Sequence, residues 1–501
     1  MKKFLVAIGC AVSSILVSAG AEAPTAAVPL VEKAPIDVSG VAVFCSLCLL
    51  LFVGNALRAR VSLLQRLYLP SSVIGGLIGL LVVQLLGPRL PEGARAVFDA
   101  HVQLANEVPG FLINIIFATL FLGAVLPRMR TVVKLAFPQL CVGQIMAWGQ
   151  YVVGLGLTGF IFKKYFFDGS RTSELFGNLL EVGFEGGHGT VSGLKNSFDA
   201  FGWSEGTALG YTMATAGMII GIVVGMLMVQ LAVKKGVVKE VVTFDDRKFY
   251  ERRGLHLKRR RPDAGKQTVM CDSIDSLAWH VAVVGLAMLI GFGMLKGLKW
   301  AEVTFFPDAQ IQIFRRGFPL FPLCMLGGVL LQLGAKLVKK DLLIDRGQME
   351  RISGATLDFL VVSAVSTIQI NVVAANWEPL SITIVTGTLW SVWVVTWVAK
   401  RIFRKAWFER AMAEFGQATG VTATGLMLLR TVDPENRTPA AMCFGYKQLI
   451  QEPLMSGIWM ALAFTLVYNI GWFKVWLISL VMLIIWSVIG FFINRANKRA
   501  A

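Results

Sequence analysis

Charge is scarce in this 501-residue chain: 16% of its residues are Asp, Glu, Lys or Arg, against about a quarter in an ordinary soluble domain. Apolar residues make up 55%. One soluble core does not hide that much apolar surface, and a soluble chain of this length would divide into several domains joined by polar linkers. Histidine is rarer still, at four residues, and the seven cysteines are scattered. Cys45-Ser-Leu-Cys48 has C-x-x-C spacing, but it sits in an apolar run with no second pair and reads as small packing residues rather than a metal or redox pair. No G-x-S-x-G, H-E-x-x-H or paired aspartyl motif occurs. A soluble enzyme, a disulfide scaffold and a disordered protein are thereby excluded. The formal net charge of +17 does not indicate a nucleic-acid partner, because the basic residues form short clusters between apolar runs, which is how membrane topology is written.

What is present is a series of apolar runs from end to end, many of them long enough for the ~20 residues of a spanning helix. The start, Met1-Lys2-Lys3 followed by apolar Phe4 to Val17 and the small residues Ser18-Ala19-Gly20-Ala21-Glu22-Ala23, reads as a signal-peptide-like segment over 1–23, cut after Ala21 or kept as a short anchor. Spans are expected at 38–57, 70–87, 110–127, 136–162, 205–233, 277–298, 317–335, 354–375, 378–399, 442–468 and 472–493. With the N-terminus outside and the C-terminus in the cytoplasm, the inside segments hold 33 of the 48 Lys and Arg and the outside segments 11, the asymmetry that the positive-inside rule requires. The long polar stretch 234–276 contains Lys258-Arg259-Arg260-Arg261 and reads as a basic cytoplasmic linker that could also touch anionic lipid headgroups.

Two apolar segments, about 174–196 and 408–430, are interrupted by glycines and carry acids. One contains Glu181-Val-Gly183-Phe-Glu185-Gly186-Gly187-His188-Gly189-Thr190, the other Glu414-Phe-Gly416-Gln417-Ala-Thr419-Gly420-Val-Thr422-Ala-Thr424. Both match E-x-G-x-x-x-G, 233 residues apart, and each follows four spans and precedes a fifth. Five spans per half is odd, so the second half must be inverted relative to the first. This predicts an all-α polytopic membrane protein built from two inverted five-helix repeats, 38–233 and 277–468, with crossed re-entrant hairpins and an accessory C-terminal helix at 472–493. A matched pair of Gly-interrupted segments is the pointer to the binding site in inverted-repeat secondary transporters. Irregular backbone at membrane depth survives only where protein or a water-filled cavity satisfies it, and Gly187 and Gly420 are expected to supply the turn conformations there.

These residues resemble the bacterial sodium/glutamate symporter family. Gly186-Gly187-His188-Gly189-Thr190 is similar to its G-G-H-G-T motif, and Gly420-Val-Thr422-Ala-Thr424 to its G-A-T-P-T motif. Phe117-Ala118-Thr119-Leu-Phe-Leu-Gly123-Ala124 and Pro70-Ser-Ser-Val-Ile-Gly75-Gly76-Leu are similar to stretches of its third and second helices. The resemblance covers roughly 38–470. It implies sodium-coupled import of glutamate or a related small carboxylate, crossed re-entrant loops, a homodimer, an elevator-like motion and a bacterial inner-membrane location. Two departures stand out: Glu185 occupies a position where the family has a small hydroxyl residue, and Ala423 replaces a proline. An extra carboxylate near the site repels an anionic ligand.

The candidate substrate- and ion-binding residues are Glu185, Gly186, Gly187, His188, Gly189, Thr190, Gly420, Thr422 and Thr424. Thr190 and Thr422 are candidate sodium ligands, because hydroxyl oxygens beside freed carbonyls suit a hard cation; threonine also satisfies helix backbone at a break. Glu181 and Glu414 lie either at the hairpin mouths, in water, or at membrane depth, where ionisable groups are functional candidates. Asp358 caps a helix or faces the site, and Asn114, Gln369 and Asn371 either bind solute or join helices. Lys447, Gln448, Gln451 and Glu452 place unusual polarity in the tenth span. Proton coupling through Glu185 or His188, a different substrate on the same fold, and a channel are the rival readings.

Overall fold

The computed structural model describes residues 40–499, apart from short internal stretches at 68, 125–128, 168–169, 171, 239–248, 255–260, 262, 308–312, 316–317 and 434–436. The signal-like segment and most of the Lys258–Arg261 run lie outside the described residues. Every regular element described is helical. In chain order the first half contains α1 (Gly40–Arg60), α2 (Ser71–Arg89), α3 (Glu92–Thr119), α4 (Ala136–Tyr165), a broken segment from Ser173 to Gly186 that continues into α5 (Gly187–Ala200), and α6 (Glu205–Lys234). The second contains α7 (Ser276–Phe305), α8 (Phe321–Leu337), α9 (Arg346–Ser366), α10 (Trp377–Ile402), α11 (Trp407–Val432), α12 (Ala440–Ile470) and α13 (Trp472–Arg495). Nine of these, among the described residues, are long and apolar enough to cross a membrane. The chain is therefore a multi-pass membrane protein.

The helices depart from the expected spans in three places. The span expected at 110–127 is α3, which begins at Glu92 and ends at Thr119; its first half is a polar helix that hydropathy does not reveal. Arg346, at the start of α9, donates from Nη1 to the carbonyls of Thr119, Leu120 and Leu122 at 3.3, 2.8 and 3.3 Å, which satisfies carbonyls that the end of α3 leaves open. The span expected at 317–335 is α8, whose 17 residues give about 25 Å of helix. The span expected at 354–375 is α9 followed by a break at Thr367 and a short helix, Ile370–Ala375. Asp345 caps α9 at Gln348 N, 3.0 Å away. Burial pushes its carboxyl up, but the N–H groups of Lys266 and Gln348 and the nearby His280 outweigh this and hold it below the usual range.

Backbone close approaches recur in the two halves. A Cβ on Gly75 of α2 would strike the Leu50 carbonyl of α1, and one on Gly54 of α1 would strike Ser71 and Gly75. A Cβ on Gly327 of α8 would likewise strike the Ala287 carbonyl of α7, and one on Gly291 of α7 would strike Leu323 and Cys324. The next glycine in each pair faces the other half: Gly76 lies against Val362 and Val365 of α9, and Gly328 against Ala118 of α3. Thus α2 packs on α1 and α9, α8 packs on α7 and α3, and α3 packs on α9. The fourth helix of each half also loosens into a π-helical stretch, Leu157–Phe162 in α4 and Val394–Ala399 in α10. Small residues let membrane helices approach backbone to backbone, where dispersion and weak polar contacts replace the missing hydrophobic drive.

Gly75→Val and Gly327→Val should each lower the apparent Tm of the purified protein in detergent by several degrees, since overpacking costs about 1–3 kcal/mol. Gly285→Val, on α7 where a Cβ would meet nothing within 4 Å, should leave it unchanged. A Gly327→Val protein that melts with the wild type would overturn the close crossing of α7 and α8.

Candidate functional site

The backbone breaks sharply at two places. In the first, Gly187 has φ 67° and ψ −168°; in the second, Val421 has φ 61° and ψ 172°. Both lie in a region that is essentially glycine-only. The expected pairing of Gly187 with Gly420 is therefore shifted by one residue: Gly420 has φ −152°, which any residue adopts. Gly420 is needed for space instead, since a Cβ there would lie 2.8 Å from Thr424 Oγ1 and 3.0 Å from Met218 Cα. After Val421 the chain folds back, and a Cβ on Gly416 would strike the backbone of Gly425. The two strained residues meet: a Cβ on Gly187 would collide with Val421 Cγ1. The valine side chain occupies the space that Gly187 leaves open.

Around this meeting point is a cavity of about 410 Å³, within the usual range for small-molecule sites, roughly 300–1,000 Å³. From the first broken segment Glu185, Gly186, Gly187, His188, Gly189 and Thr190 line it; from α11 come Gly420, Val421, Thr422, Ala423 and Thr424. Asp358 and Glu452 add carboxyls, and α2, α3 and α6 add an apolar wall that includes Val73, Ile113, Phe117 and Met218. All nine residues nominated from the sequence thus line one cavity. Asn114 is not among them; its amide bonds to Gly110 and Phe111 of its own helix. Gln369 and Asn371 are exposed beside the break after α9.

His188 is 3% exposed. Thr215 Oγ1 donates to the Tyr211 carbonyl at 2.8 Å, so it accepts from His188 Nε2 at 2.9 Å. In the neutral ring this tautomer, inferred from the network, leaves Nδ1 as an acceptor. Thr190 Oγ1 donates to the Gly186 carbonyl at 3.0 Å, which leaves its lone pairs for a cation. Thr422 Oγ1 donates to Glu452 Oε1 at 2.8 Å and accepts from Gln448 Nε2 at 2.6 Å. These hydroxyl oxygens, Thr190 beside the Gly186 carbonyl and Thr422 beside the Glu452 carboxylate, fit sodium, which takes hard oxygen ligands.

Behind the cavity is a buried polar network. Glu181 and Glu414, for which the sequence left water and membrane depth both open, are 0% and 1% exposed. Lys447 Nζ, fully buried, donates to Glu414 Oε2 at 3.0 Å and to Gln417 Oε1 at 2.7 Å. Gln417 Nε2 passes on to Glu185 Oε1 at 3.1 Å, which also accepts from Gln451 Nε2 at 2.6 Å. Glu414 Oε1 accepts from Gln139 Nε2 at 2.7 Å, and Gln139 Oε1 accepts from Arg410 Nε at 2.6 Å. Glu181 is different: among the described residues neither of its oxygens has a hydrogen-bond partner, although the equally unpartnered Tyr151 hydroxyl faces it. Gln139, Arg410 and Val421 gave no signal in the sequence; the polarity of Lys447 and its neighbours did.

The model of one family, described as sodium/glutamate symporter, matches residues 36–433, well over half of the chain. The chain belongs to the sodium/glutamate symporter family. That family is one of transporters rather than enzymes, which implies a small-molecule substrate and sodium as the coupling ion. A search of curated proteins and of solved structures finds no match. Within this symporter framework the buried Glu185, tied to Lys447 through Gln417, links the two broken segments.

Removing one member of a buried ion pair leaves the other charge uncompensated, at a cost of about 3–5 kcal/mol. Lys447→Met should therefore sharply reduce the yield of folded protein, and adding Glu414→Gln should recover most of it; equal stability of wild type and the single variant would sink the pairing. Gly187→Ala should abolish uptake, and Val421→Gly in the same chain should restore part of it. Double-variant uptake no better than that of Gly187→Ala alone would show that the collision is not the cause.

Proposed function

We propose that this protein is a sodium-coupled secondary transporter importing glutamate or a related small carboxylate, with the cavity between the two broken segments as its solute site. The observation that carries this reading is the convergence of two helix breaks on one cavity of amino-acid size. Half-helices that begin at the breaks direct free N–H groups toward a bound carboxylate, and hydroxyls and carboxylates beside them can hold the cation. Sodium bound next to Glu185 and Glu452 offsets negative charge that would otherwise repel an anionic group, which makes solute affinity depend on sodium.

We further propose that the chain forms two inverted halves, 38–233 and 277–468, joined by the 234–276 linker, with the broken segments acting as re-entrant hairpins and the helix at 472–493 as an accessory. The matching glycine crossings of α1–α2 and α7–α8, and the reciprocal packing of α2 on α9 and α8 on α3, support this reading. On it, the broken segments with their cavity move as one body against a scaffold in an elevator-like step, in a homodimer of the bacterial inner membrane with the N-terminus outside and the C-terminus in the cytoplasm. A second reading, a proton as the coupling ion, is favoured by Glu181, which is buried facing the Tyr151 hydroxyl with no hydrogen-bond partner among the described residues, because ionisable groups at membrane depth are proton-relay candidates.

Purified protein in proteoliposomes should accumulate solute only with a sodium gradient, and replacing external sodium by choline at constant ionic strength should abolish accumulation. Uptake that is unchanged in choline, follows a proton gradient and is lost in Glu181→Gln would replace sodium by a proton.

A further inference from the structure

We infer that the cavity selects a zwitterionic amino acid with an uncharged, apolar side chain over a dicarboxylate. The inference rests on the sodium-coupled transport reading above and narrows its solute, at the same cavity, to a carboxylate-bearing class other than glutamate.

Three carboxyl side chains, Glu185, Asp358 and Glu452, line the cavity, and among the described residues no Lys or Arg does. The cations nearby are already engaged. Lys447 is fully buried and donates to Glu414 and Gln417, on the far side of Gln417 from Glu185. Arg410 donates from Nε to Gln139, lies over the Phe403 ring and does not line the cavity. Positive potential in the wall comes from backbone: α5 starts at Gly187, and the second part of α11 starts after Val421. The first turn of each leaves N–H groups without intrahelical partners. Each helix start is equivalent to roughly half a positive charge, enough to receive one carboxylate. Two such half-charges, together with one sodium ion beside Glu185 and Glu452, do not offset three carboxyls and, in addition, the second carboxylate of a dicarboxylate.

The same three carboxyls suit an ammonium group. Glu452 is held in place at Oε1 by Thr422 and Gln448, at 2.8 and 2.9 Å, and Glu185 at Oε1 by Gln417 and Gln451. Pre-oriented carboxylates of this kind make charge-assisted hydrogen bonds to an ammonium without first reorganising. Beside the hydroxyls of Ser72, Thr190, Thr424 and Ser456, most of the remaining wall is one apolar surface that includes Val73, Ile113, Phe117, Met218, Leu357 and Val361. A side-chain carboxylate placed against it would lose its water and gain no donor, whereas a branched or aromatic side chain would bury apolar surface. Charge and shape therefore select the same class: one carboxylate at the helix starts, one ammonium at the acids, and an apolar body against α2, α3, α6 and α9.

Thermal unfolding of the purified full-length protein reads the selection directly. L-leucine, L-phenylalanine, L-glutamate, leucinol and 4-methylpentanoate are each titrated in sodium and in choline buffer. Leucine or phenylalanine should raise the Tm, and glutamate at the same concentrations should not. Leucinol and 4-methylpentanoate, each lacking one charged group, should bind at least about tenfold more weakly than leucine. Glu452→Gln should weaken leucine by about tenfold and leave the Tm of the solute-free protein close to wild type. Should that variant melt early, the two leucine analogues still decide. A rise with glutamate equal to or larger than that with leucine overturns the inference, as does a panel in which no amino acid raises the Tm. Sodium-dependent accumulation is scored separately. A leucine shift alongside sodium-independent uptake sinks the coupling and leaves the solute class standing; glutamate-selective, sodium-driven uptake does the reverse.

Discussion

The buried amine of Lys447 is the constraint around which the site is organised. A lysine that is 0% exposed in the middle of a membrane protein is tolerable only if its charge is met by an opposite charge and its three N–H groups by acceptors. Glu414 supplies the charge and, with Gln417, two of the acceptors. Both residues lie on α11, so α12 is locked to the first arm of that broken helix. Gln417 then uses its amide to hold Glu185, which belongs to the other broken segment. One ammonium group thus ties three pieces of chain together, and Gln451 of α12 adds a direct bond to Glu185. Buried ion pairs are weak evidence for stability, since apolar replacements of similar volume are often neutral or better. Their best-attested use is to specify register, and register is what two helix breaks meeting at a single point demand.

The meeting point shows why register matters. Gly187 and Val421 both hold φ near +60°, and the Val421 side chain fills the space that Gly187 leaves open. Glycine takes such a conformation without steric penalty; valine does so at a cost of order 1–3 kcal/mol, sustained only where the surroundings over-determine it. The surroundings here are the Lys447 network on one side and the packing of α6 on the other, where Gly217 and Gly221 lie against Thr419. Strain of this kind tends to sit at ligand sites, and here it borders the cavity.

Much of this was legible in the sequence. Glycine-interrupted apolar segments with a shared E-x-G-x-x-x-G spacing located both breaks, because irregular backbone at membrane depth has few causes. The positions of most helices followed from hydropathy. What escaped detection had physical reasons. The polar half of α3 carries no apolar signal, so the helix was expected to start at 110 rather than at Glu92. The one-residue shift that puts Val421, not Gly420, at positive φ cannot be seen in residue types, because glycine beside a turn looks the same whether it serves conformation or space. Residue type left Glu181 and Glu414 open between water and membrane depth, and the packing of α4, α11 and α12 around them decides for burial. The paired crossings at Gly75–Gly76 and Gly327–Gly328 were readable as two similar dipeptides, but their meaning, one glycine for each half of the molecule, needed three dimensions.

The charge of the cavity follows from the same network. Lys447 is committed to α11, so it cannot face the solute, and the carboxyls of Glu185 and Glu452 are left to define the wall. A family whose name specifies a dicarboxylic amino acid would be served by a cation in that wall. In this chain the position before the G-G-H-G-T stretch, expected to be a small hydroxyl residue, is Glu185, and the lysine that compensates it sits one amide further back. The pair adds little net charge to the protein, but it is not symmetric with respect to the cavity: the negative member is at the surface of the site and the positive member behind it. A solute therefore meets the carboxylate first. Its field in a low-dielectric wall is felt far more strongly than it would be in water, and the lysine behind it is partly neutralised by Glu414. On this inference, discrimination between a neutral zwitterion and a dicarboxylic amino acid, which carries one net negative charge, arises from the order in which fixed charges are stacked away from the solute, with no change in how many there are.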